Sequence, residues 1–212
     1  MAMELILIRH GETDFNKEGV FRGQKDVRLN ATGIAMAEAT AEALKDKVFE
    51  AIYSSPLKRA LVTAKRIAAP HEMEVRTNFD FIDINYGVWQ GLPESEVKEK
   101  WPRLYDKWLA KPGSVKFLGG ESTKKCWKRV ISGLREIVFL HGTGTIVIVS
   151  HRIPIRMMTA YMLGKKRGDI NEIRHDPCAI SIFSVDEKRY VPEVLNDSSH
   201  LGELSQASQK DF

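Results

Sequence analysis

Residues 5–16 read Leu-Ile-Leu-Ile-Arg-His-Gly-Glu-Thr-Asp-Phe-Asn, and the step from Ile8 to Arg9 decides how the rest of the chain is read. Four aliphatic residues without polar alternation describe a strand covered on both faces, the kind found in parallel sheets. An arginine and a histidine are not core material. At the end of such a strand they either cap a solvated edge or stand where the fold keeps its chemistry.

Working outward, apolar runs alternate with helical patterns, which predicts an α/β chain with a mainly parallel sheet. Strands are expected at Glu4–Ile8, Ala51–Ser54, Met73–Arg76, Thr145–Val149, Ala179–Val185 and Tyr190–Leu195, the last two joined by the turn Asp186-Glu187-Lys188. Asn30 is placed to cap a helix running to about Lys47, with Ile34, Ala37, Ala41 and Leu44 inward. Ser55-Pro56 reads as a cap followed by proline in the first helical position, opening a helix to about Ala69. A long helix from Ser122 to His141 should turn Val130, Leu134 and Val138 inward, and another spans Ile153–Leu163, with Gly164 as its stop. Residues 79–120 form an irregular excursion with short helices at Glu94–Lys100 and Arg103–Ala110. One domain is expected over residues 1–201, with residues 202–212 as a flexible tail.

The bounds are those of an ordinary globular protein. The chain has 212 residues, 43% hydrophobic and 28% charged, enough for a real core. Neither a leader segment nor a membrane span is visible, and two distant cysteines suggest neither a disulfide framework nor a zinc site. A cytoplasmic protein without cofactor or metal is therefore expected, with a homodimer left open. The net charge of +4 allows an anionic substrate without calling for nucleic acid.

This map brings distant residues together. His10 follows the first strand, Arg59 lies in the first turn of the helix after the second, and His151 follows the strand Thr145–Val149. Ligands of open α/β sheets collect at the carboxyl ends of the strands. Three phosphate-binding groups from separate parts of the chain should thus meet on one edge, and a solvated-edge reading does not explain the coincidence.

The motifs resemble those of the histidine phosphatase superfamily, the group containing the cofactor-dependent phosphoglycerate mutases. The resemblance rests on Arg9-His10-Gly11-Glu12-Thr13 with Asn16, then Arg22-Gly23 and Asp26–Gly33, then Ser54–Ala60 with Thr63-Ala64. It continues through Asp83–Gly91, Gly119–Ser122, and Val149-Ser150-His151 with Arg156. The tetrapeptide Arg-His-Gly-Glu arises by chance in such a chain roughly once in a thousand; six blocks in order are far more specific. The resemblance implies a three-layer α/β/α fold and a phosphohistidine mechanism. His10 would attack phosphorus, Arg9, Arg59 and His151 would hold the phosphoryl oxygens, and Asp83 would protonate the leaving group and later deprotonate water. Asn16, Arg22 and Gly23 match positions that hold phosphate or substrate, and Arg152 is read as a further substrate-binding donor. With that much positive charge no metal is required.

Four positions depart from the family. Asp83 stands where glutamate is usual, Arg22 where glutamine, Arg28 where proline, and Arg152 where glycine. Together Arg22, Arg28 and Arg152 make the expected mouth more cationic; Glu12 and Asp80 are the fallback acids. The cluster Lys124–Arg129 reads as a solvated helix face. His71, His141 and His175 have no metal spacing, and no nucleophile elbow accompanies Ser150-His151. The leading expectation is a phosphomonoesterase acting on a small phosphorylated metabolite. A mutase is disfavoured by the short segment after Gly91, and an impaired phospho-ligand-binding module by the intact His10, Arg9, Arg59 and His151.

Overall fold

In the computed structural model, which describes residues 3–186 and 189–208, the opening apolar run is a central strand. Six strands form one sheet: β1 (Met3–Arg9), β2 (Ala51–Ser54), β3 (Val75–Thr77), β4 (Gly144–Ser150), β5 (Ile180–Asp186) and β6 (Arg189–Asp197). Their order is β3-β2-β4-β1-β5-β6. The pairs β1–β4, β2–β4 and β2–β3 are parallel, while β5 runs antiparallel to both its neighbours. The helices are α1 (Asp14–Lys17), α2 (Ala31–Leu44), α3 (Lys58–Ala68), α4 (Glu94–Lys100), α5 (Pro102–Ala110), α6 (Thr123–His141) and α7 (Arg152–Met162).

The two-residue period of a strand builds the layers. Leu5 and Leu7 pack on one face with Leu134 of α6 and Ile155 of α7, whereas Ile6 and Ile8 pack on the other with Leu44 of α2 and Ala64 of α3. Leu5, Ile6, Leu7 and Ile8 are all fully buried. Each such side chain contributes on the order of 1.5–3 kcal/mol by leaving water, which is why no polar residue interrupts this run.

Register does the rest. Arg9 pairs with Ser150 and Ser54 with Val149, so β1, β4 and β2 end level with one another. The ladder runs one residue further: the N–H of His10 donates to Ser150 O at 2.9 Å and that of Ser55 to Val149 O at 3.0 Å. His10, Ser55 and His151 therefore leave the same sheet edge.

Several elements differ from the sequence expectation. Helix α3 begins at Lys58 rather than Pro56, because Ser55 is engaged by His151 and the Lys58 N–H is capped from outside by Asp26 Oδ1 at 2.7 Å. Strand β3 lies two residues later than expected at its start. On α2 Ala37, Ala41 and Leu44 are buried as expected, Ile34 is only partly buried, and Gly33, Met36 and Thr40 complete the buried set. That helix is covered on two sides, since Met36 and Ala37 pack with Cys178 and Leu201 while Ala41 and Leu44 face the sheet. Val138 is only partly buried; Ile137 turns inward. Helix α1 was not expected. Past Leu201 the chain continues in 3-10 turns to Ser208, with Leu204 packed against the Met36–Leu201 cluster. The Glu187-Lys188 part of the expected turn and residues 209–212 lie outside the described residues.

The loop after β1 is locked to the start of α2. A methyl group on Gly33 would lie 2.0 Å from Glu12 O, and one on Gly11 2.4 Å from Gly33 O. Asn30 finishes the joint, accepting from the Gly33 N–H at 2.8 Å and donating to Glu12 Oε1 at 2.9 Å. Gly33→Ala is therefore expected to cost about 1–3 kcal/mol, the usual range for an overpacked site. A thermal melt reads it, and a melting temperature equal to the parent's would mean the joint is not tight.

Candidate active site

His10 is completely buried, and two hydrogen bonds define its state. Its Nδ1 lies 2.7 Å from Gly11 O, a bond that needs the proton on Nδ1. Its Nε2 accepts from Arg59 Nε at 3.3 Å, which needs a lone pair there. Burial, together with the guanidiniums of Arg59 and Arg9, holds the imidazole well below the usual histidine range. His10 is thus a neutral imidazole with its unprotonated nitrogen turned toward Arg59.

Arg59 is the most constrained side chain of the site. Besides His10, it donates through Nη1 to Lys25 O at 2.8 Å, and through Nη2 to Gly23 O at 2.7 Å and Asp83 Oδ2 at 3.3 Å. Gly23 has a φ of +52°, and a methyl group there would meet Gln90 Oε1 at 2.2 Å; that oxygen accepts the Gln24 N–H at 2.7 Å. Only glycine lets the loop turn so tightly around the guanidinium. Asp83 is 5% exposed, and its Oδ1 accepts the Ile84 N–H at 2.9 Å. Despite one methylene fewer than glutamate, the carboxylate reaches the arginine that contacts the His10 nitrogen.

His151 lies opposite, its ring centroid 5.2 Å from that of His10. Its Nε2 is 2.7 Å from Ser55 Oγ. Its Nδ1 is buried and has no hydrogen-bond partner among the described residues. Burial, Arg59 and His10 hold its pKa well below the usual range, so this ring too is neutral. Arg9 donates to His175 O at 3.0 Å. Asn16 is 2% exposed, and its Oδ1 accepts from the Thr13 N–H at 2.9 Å and hydroxyl at 2.8 Å, which leaves the amide end as the one able to donate elsewhere.

A small cavity opens beside this group, with about 290 Å³ of empty space including its mouth. Its polar lining is Arg22, Gly23, Asp83, Tyr86 and Arg152, and its apolar lining Val20, Phe21 and Ile153. His10, Arg9, Arg59 and His151 are not on that surface. They adjoin it through Arg59, which holds both Gly23 and Asp83. Of the three cationic departures, Arg22 and Arg152 are on the wall; Arg28 is exposed and absent from it. Neither fallback acid lines the cavity: Glu12 is bound by Asn30 and Lys17, and Asp80 is partly exposed elsewhere. Among the described residues no cluster of three His, Cys, Asp or Glu side chains could hold a metal ion.

One positioning element escaped the sequence reading. Arg129, expected on a solvated face, turns inward and grips the backbone leading up to and including Asp83. It donates to Asp80 O and Ile82 O at 2.7 Å each and to Asp83 O at 3.0 Å. Glu121 holds the guanidinium bidentately, at 2.7 and 3.2 Å, and also accepts the Asn85 N–H at 2.9 Å. The only sequence signal was the glutamate just before the helix, which reads equally as a cap.

The family model for histidine phosphatase superfamily (branch 1) matches residues 5–198, the stretch that carries His10, Arg9, Arg59 and His151. The protein belongs to that family. It is 36% identical over 202 residues to phosphoserine phosphatase 1 of Hydrogenobacter thermophilus, covering 95% of this chain and 96% of that one. Among solved structures, Bacillus stearothermophilus YhfR superposes with a TM-score of 0.89 at 25% identity, over 94% of this chain and all of that one. A phosphoserine phosphatase mutant from Entamoeba histolytica, in complex with phosphoserine, superposes with a TM-score of 0.83 at 30% identity, over 94% and 99% of the two chains.

Two expectations follow from the geometry. His10, His151 and His175 are all held neutral by burial, His175 down to about 3. Below about pH 6.5 the unfolded chain binds protons there that the folded chain refuses. Stability is therefore present above pH 6.5 and declines as pH falls, by about 1.4 kcal/mol per pH unit for each histidine. Urea midpoints measured from pH 7.5 to 5 should show this, and a flat profile would contradict it. Second, Arg129→Gln should lower kcat on an alkyl phosphate about ten- to hundredfold, the scale of a misplaced catalytic group, with KM little changed. If Arg129 acts through Asp83, adding Arg129→Gln to Asp83→Asn costs nothing further; independent, multiplying effects would reject the coupling.

Proposed function

We propose that the protein is a metal-independent phosphomonoesterase that passes the phosphoryl group of a small metabolite through His10. The observation that supports this most directly is the fixed tautomer of His10, with its Nε2 lone pair held beside Arg59. In the first step Nε2 attacks phosphorus, the bond from phosphorus to the ester oxygen breaks, and Asp83 in its acid form gives its proton to the departing alkoxide. In the second, water attacks the phosphohistidine as Asp83 takes a proton from it, and inorganic phosphate leaves. Arg9, Arg59 and His151 supply donors for the phosphoryl oxygens. Asn16 and the backbone N–H of Gly23 are assigned to the same phosphate, and Arg22 and Arg152 to the rest of the substrate. Residues 1–201 are taken as one catalytic domain whose 79–120 excursion brings in the acid.

Water rather than a second alcohol is the acceptor in this reading. The short stretch from Gly91 to Gly119 and the close wall of Arg22, Tyr86 and Arg152 leave little room for a second substrate. Phosphoserine is proposed as the first ester to assay, since several relatives are named for it. No helix among the described residues is long and apolar enough to cross a membrane; a cytoplasmic setting is part of the proposal and rests on sequence alone.

Rapid quench during turnover is expected to trap an acid-labile, base-stable phosphoryl group on the peptide containing His10, and His10→Ala should abolish it. Asp83→Asn should slow phosphorylation by an alkyl ester roughly a hundred- to ten-thousand-fold, and by p-nitrophenyl phosphate much less, since that leaving group needs no proton. A His10→Ala variant with the parent's rate would sink the mechanism. Equal losses on both esters would remove Asp83 from the acid role.

A further inference from the structure

Arg9 is held by a part of the chain to which the phosphoryl transfer assigns no role. Its guanidinium donates to His175 O at 3.0 Å, and its own carbonyl accepts the Cys178 N–H at 2.9 Å. Both partners belong to the short turn that leads into β5, beyond the last β1–β5 pair, Ile8 with Ile180. The turn is tight. The Ala179 N–H donates to Asp176 O at 3.1 Å, and Cys178 is left-handed, with a φ of +57°. A cysteine rarely adopts that conformation, and such a residue persists only where its surroundings hold it there.

The support comes from a bulge on the neighbouring strand. Between the pairs Ile182–Val194 and Ile180–Asp197, β6 takes three steps where β5 takes two. Asn196 lies in that bulge and is also left-handed, with a φ of +53°. Bulges re-aim side chains out of the ladder, and this one turns the Asn196 amide toward the turn. Its Oδ1 accepts the Asp176 N–H at 2.7 Å, and its Nδ2 donates to Asp176 Oδ2 at 2.9 Å. The backbone N–H of Asn196 donates to Ser181 Oγ at 2.9 Å, and that hydroxyl lies 3.1 Å from His175 Nε2.

The Asp176 N–H and the His175 carbonyl belong to one peptide group, which is planar and stiff. Asn196 holds one end of it and the Arg9 guanidinium meets the other. Asparagine suits the position because it tolerates the left-handed region and offers an acceptor and a donor together. Glycine would keep the backbone and lose both bonds. Although burial opposes the charge, hydrogen bonds from Arg174 and Asn196 hold the Asp176 carboxyl below its ordinary value, so it accepts from the amide as a carboxylate. Arg174 binds only that carboxylate, through a side chain that is 75% exposed.

On the phosphomonoesterase reading above, we infer that Asn196 is a positioning residue for the phosphoryl transfer. It fixes the His175–Asp176 peptide and, through that carbonyl, the direction in which the Arg9 guanidinium faces the phosphoryl oxygens. Asn196 itself touches neither the substrate nor the reacting atoms.

The test compares full-length Asn196→Gly with the parent by two readouts. Calorimetry with inorganic phosphate gives the affinity for the anion, and kcat/KM on p-nitrophenyl phosphate and glycerol 3-phosphate follows the first chemical step. Phosphate should bind about tenfold more weakly, the scale of a hydrogen bond to a charged group. The value of kcat/KM should fall about ten- to hundredfold. The fall should be equal on the two esters, because Arg9 acts on the phosphoryl oxygens and not on the leaving group. Adding Asn196→Gly to Arg9→Gln should cost nothing further. Leu195→Ala, at an exposed position of the same bulge, should leave both readouts at the parent's level. A folded Asn196→Gly variant with either readout at the parent's level overturns the inference, as do losses that multiply with those of Arg9→Gln. A loss falling mainly on glycerol 3-phosphate would point to Asp83 and overturns it too. Should Asn196→Gly not fold, Asp176→Ala, which removes the carboxylate half of the clasp, should lower both readouts in the same pattern; parent-level values there would overturn the inference. A parent protein that hydrolyses none of the esters would defeat the hydrolase reading, and the phosphate affinities would still decide the role of Asn196.

Discussion

The guanidinium of Arg59 ties together three parts of the chain that are far apart in sequence. One planar fork touches the His10 nitrogen, the carbonyls of Gly23 and Lys25, and the Asp83 carboxylate. Arginine suits this because its donors are fixed in direction and it stays charged even when fully buried. A lysine would supply a charge without the geometry. The side chain joins the sheet edge to the 22–25 loop and to the 79–120 excursion, so the candidate nucleophile and acid share one neighbour.

That joint rests on an electrostatically costly region. Arg9, Arg22, Arg59, Arg152 and Arg156 surround a site whose principal carboxylate is Asp83, and burial acts on each of the first three as on His10 and His151. Burying like charges together opposes folding. The large apolar core on both faces of the sheet offsets it, and an anionic substrate relieves it. The same crowding keeps His10 neutral, so the feature that costs stability also prepares the candidate nucleophile.

The candidate acid is placed by a different device. Asp83 is not on a strand end but in an irregular segment, where loop entropy would ordinarily leave a carboxylate imprecise. Two things restrain it. Arg129 and Glu121 clasp the backbone from Asp80 to Asn85, and an aromatic cluster holds the segment down. Phe117 meets Tyr86 at 4.9 Å and Trp89 at 5.1 Å, and Phe21 meets Trp89 at 5.1 Å. Such edge-on contacts add to the area these rings bury. Phe21 precedes Arg22 in the chain and so joins this cluster to the wall of the cavity beside the candidate acid.

The sequence by itself determined the sheet's central strands, most helices and the meeting of His10, Arg59 and His151. Those features follow from short-range rules: a continuous apolar run, a capping asparagine, and the tendency of strand ends to gather at one edge. What only the tertiary structure decided were matters of distance in the chain. Whether α3 starts at Pro56 or Lys58 depends on His151 taking up Ser55, ninety-six residues away. Whether Arg129 is solvated or grips the backbone at Asp83 depends on how α6 lies against the excursion, and Lys124, Lys125 and Lys128 just before it carry the same charge. Arg28 and Arg152 look alike as cationic departures, yet one is exposed and the other lines the cavity. Local pattern fixes which face of an element is apolar. Where a long polar side chain ends up is set by which backbone carbonyls and carboxylates the packed chain places within its reach, and no local pattern contains that information.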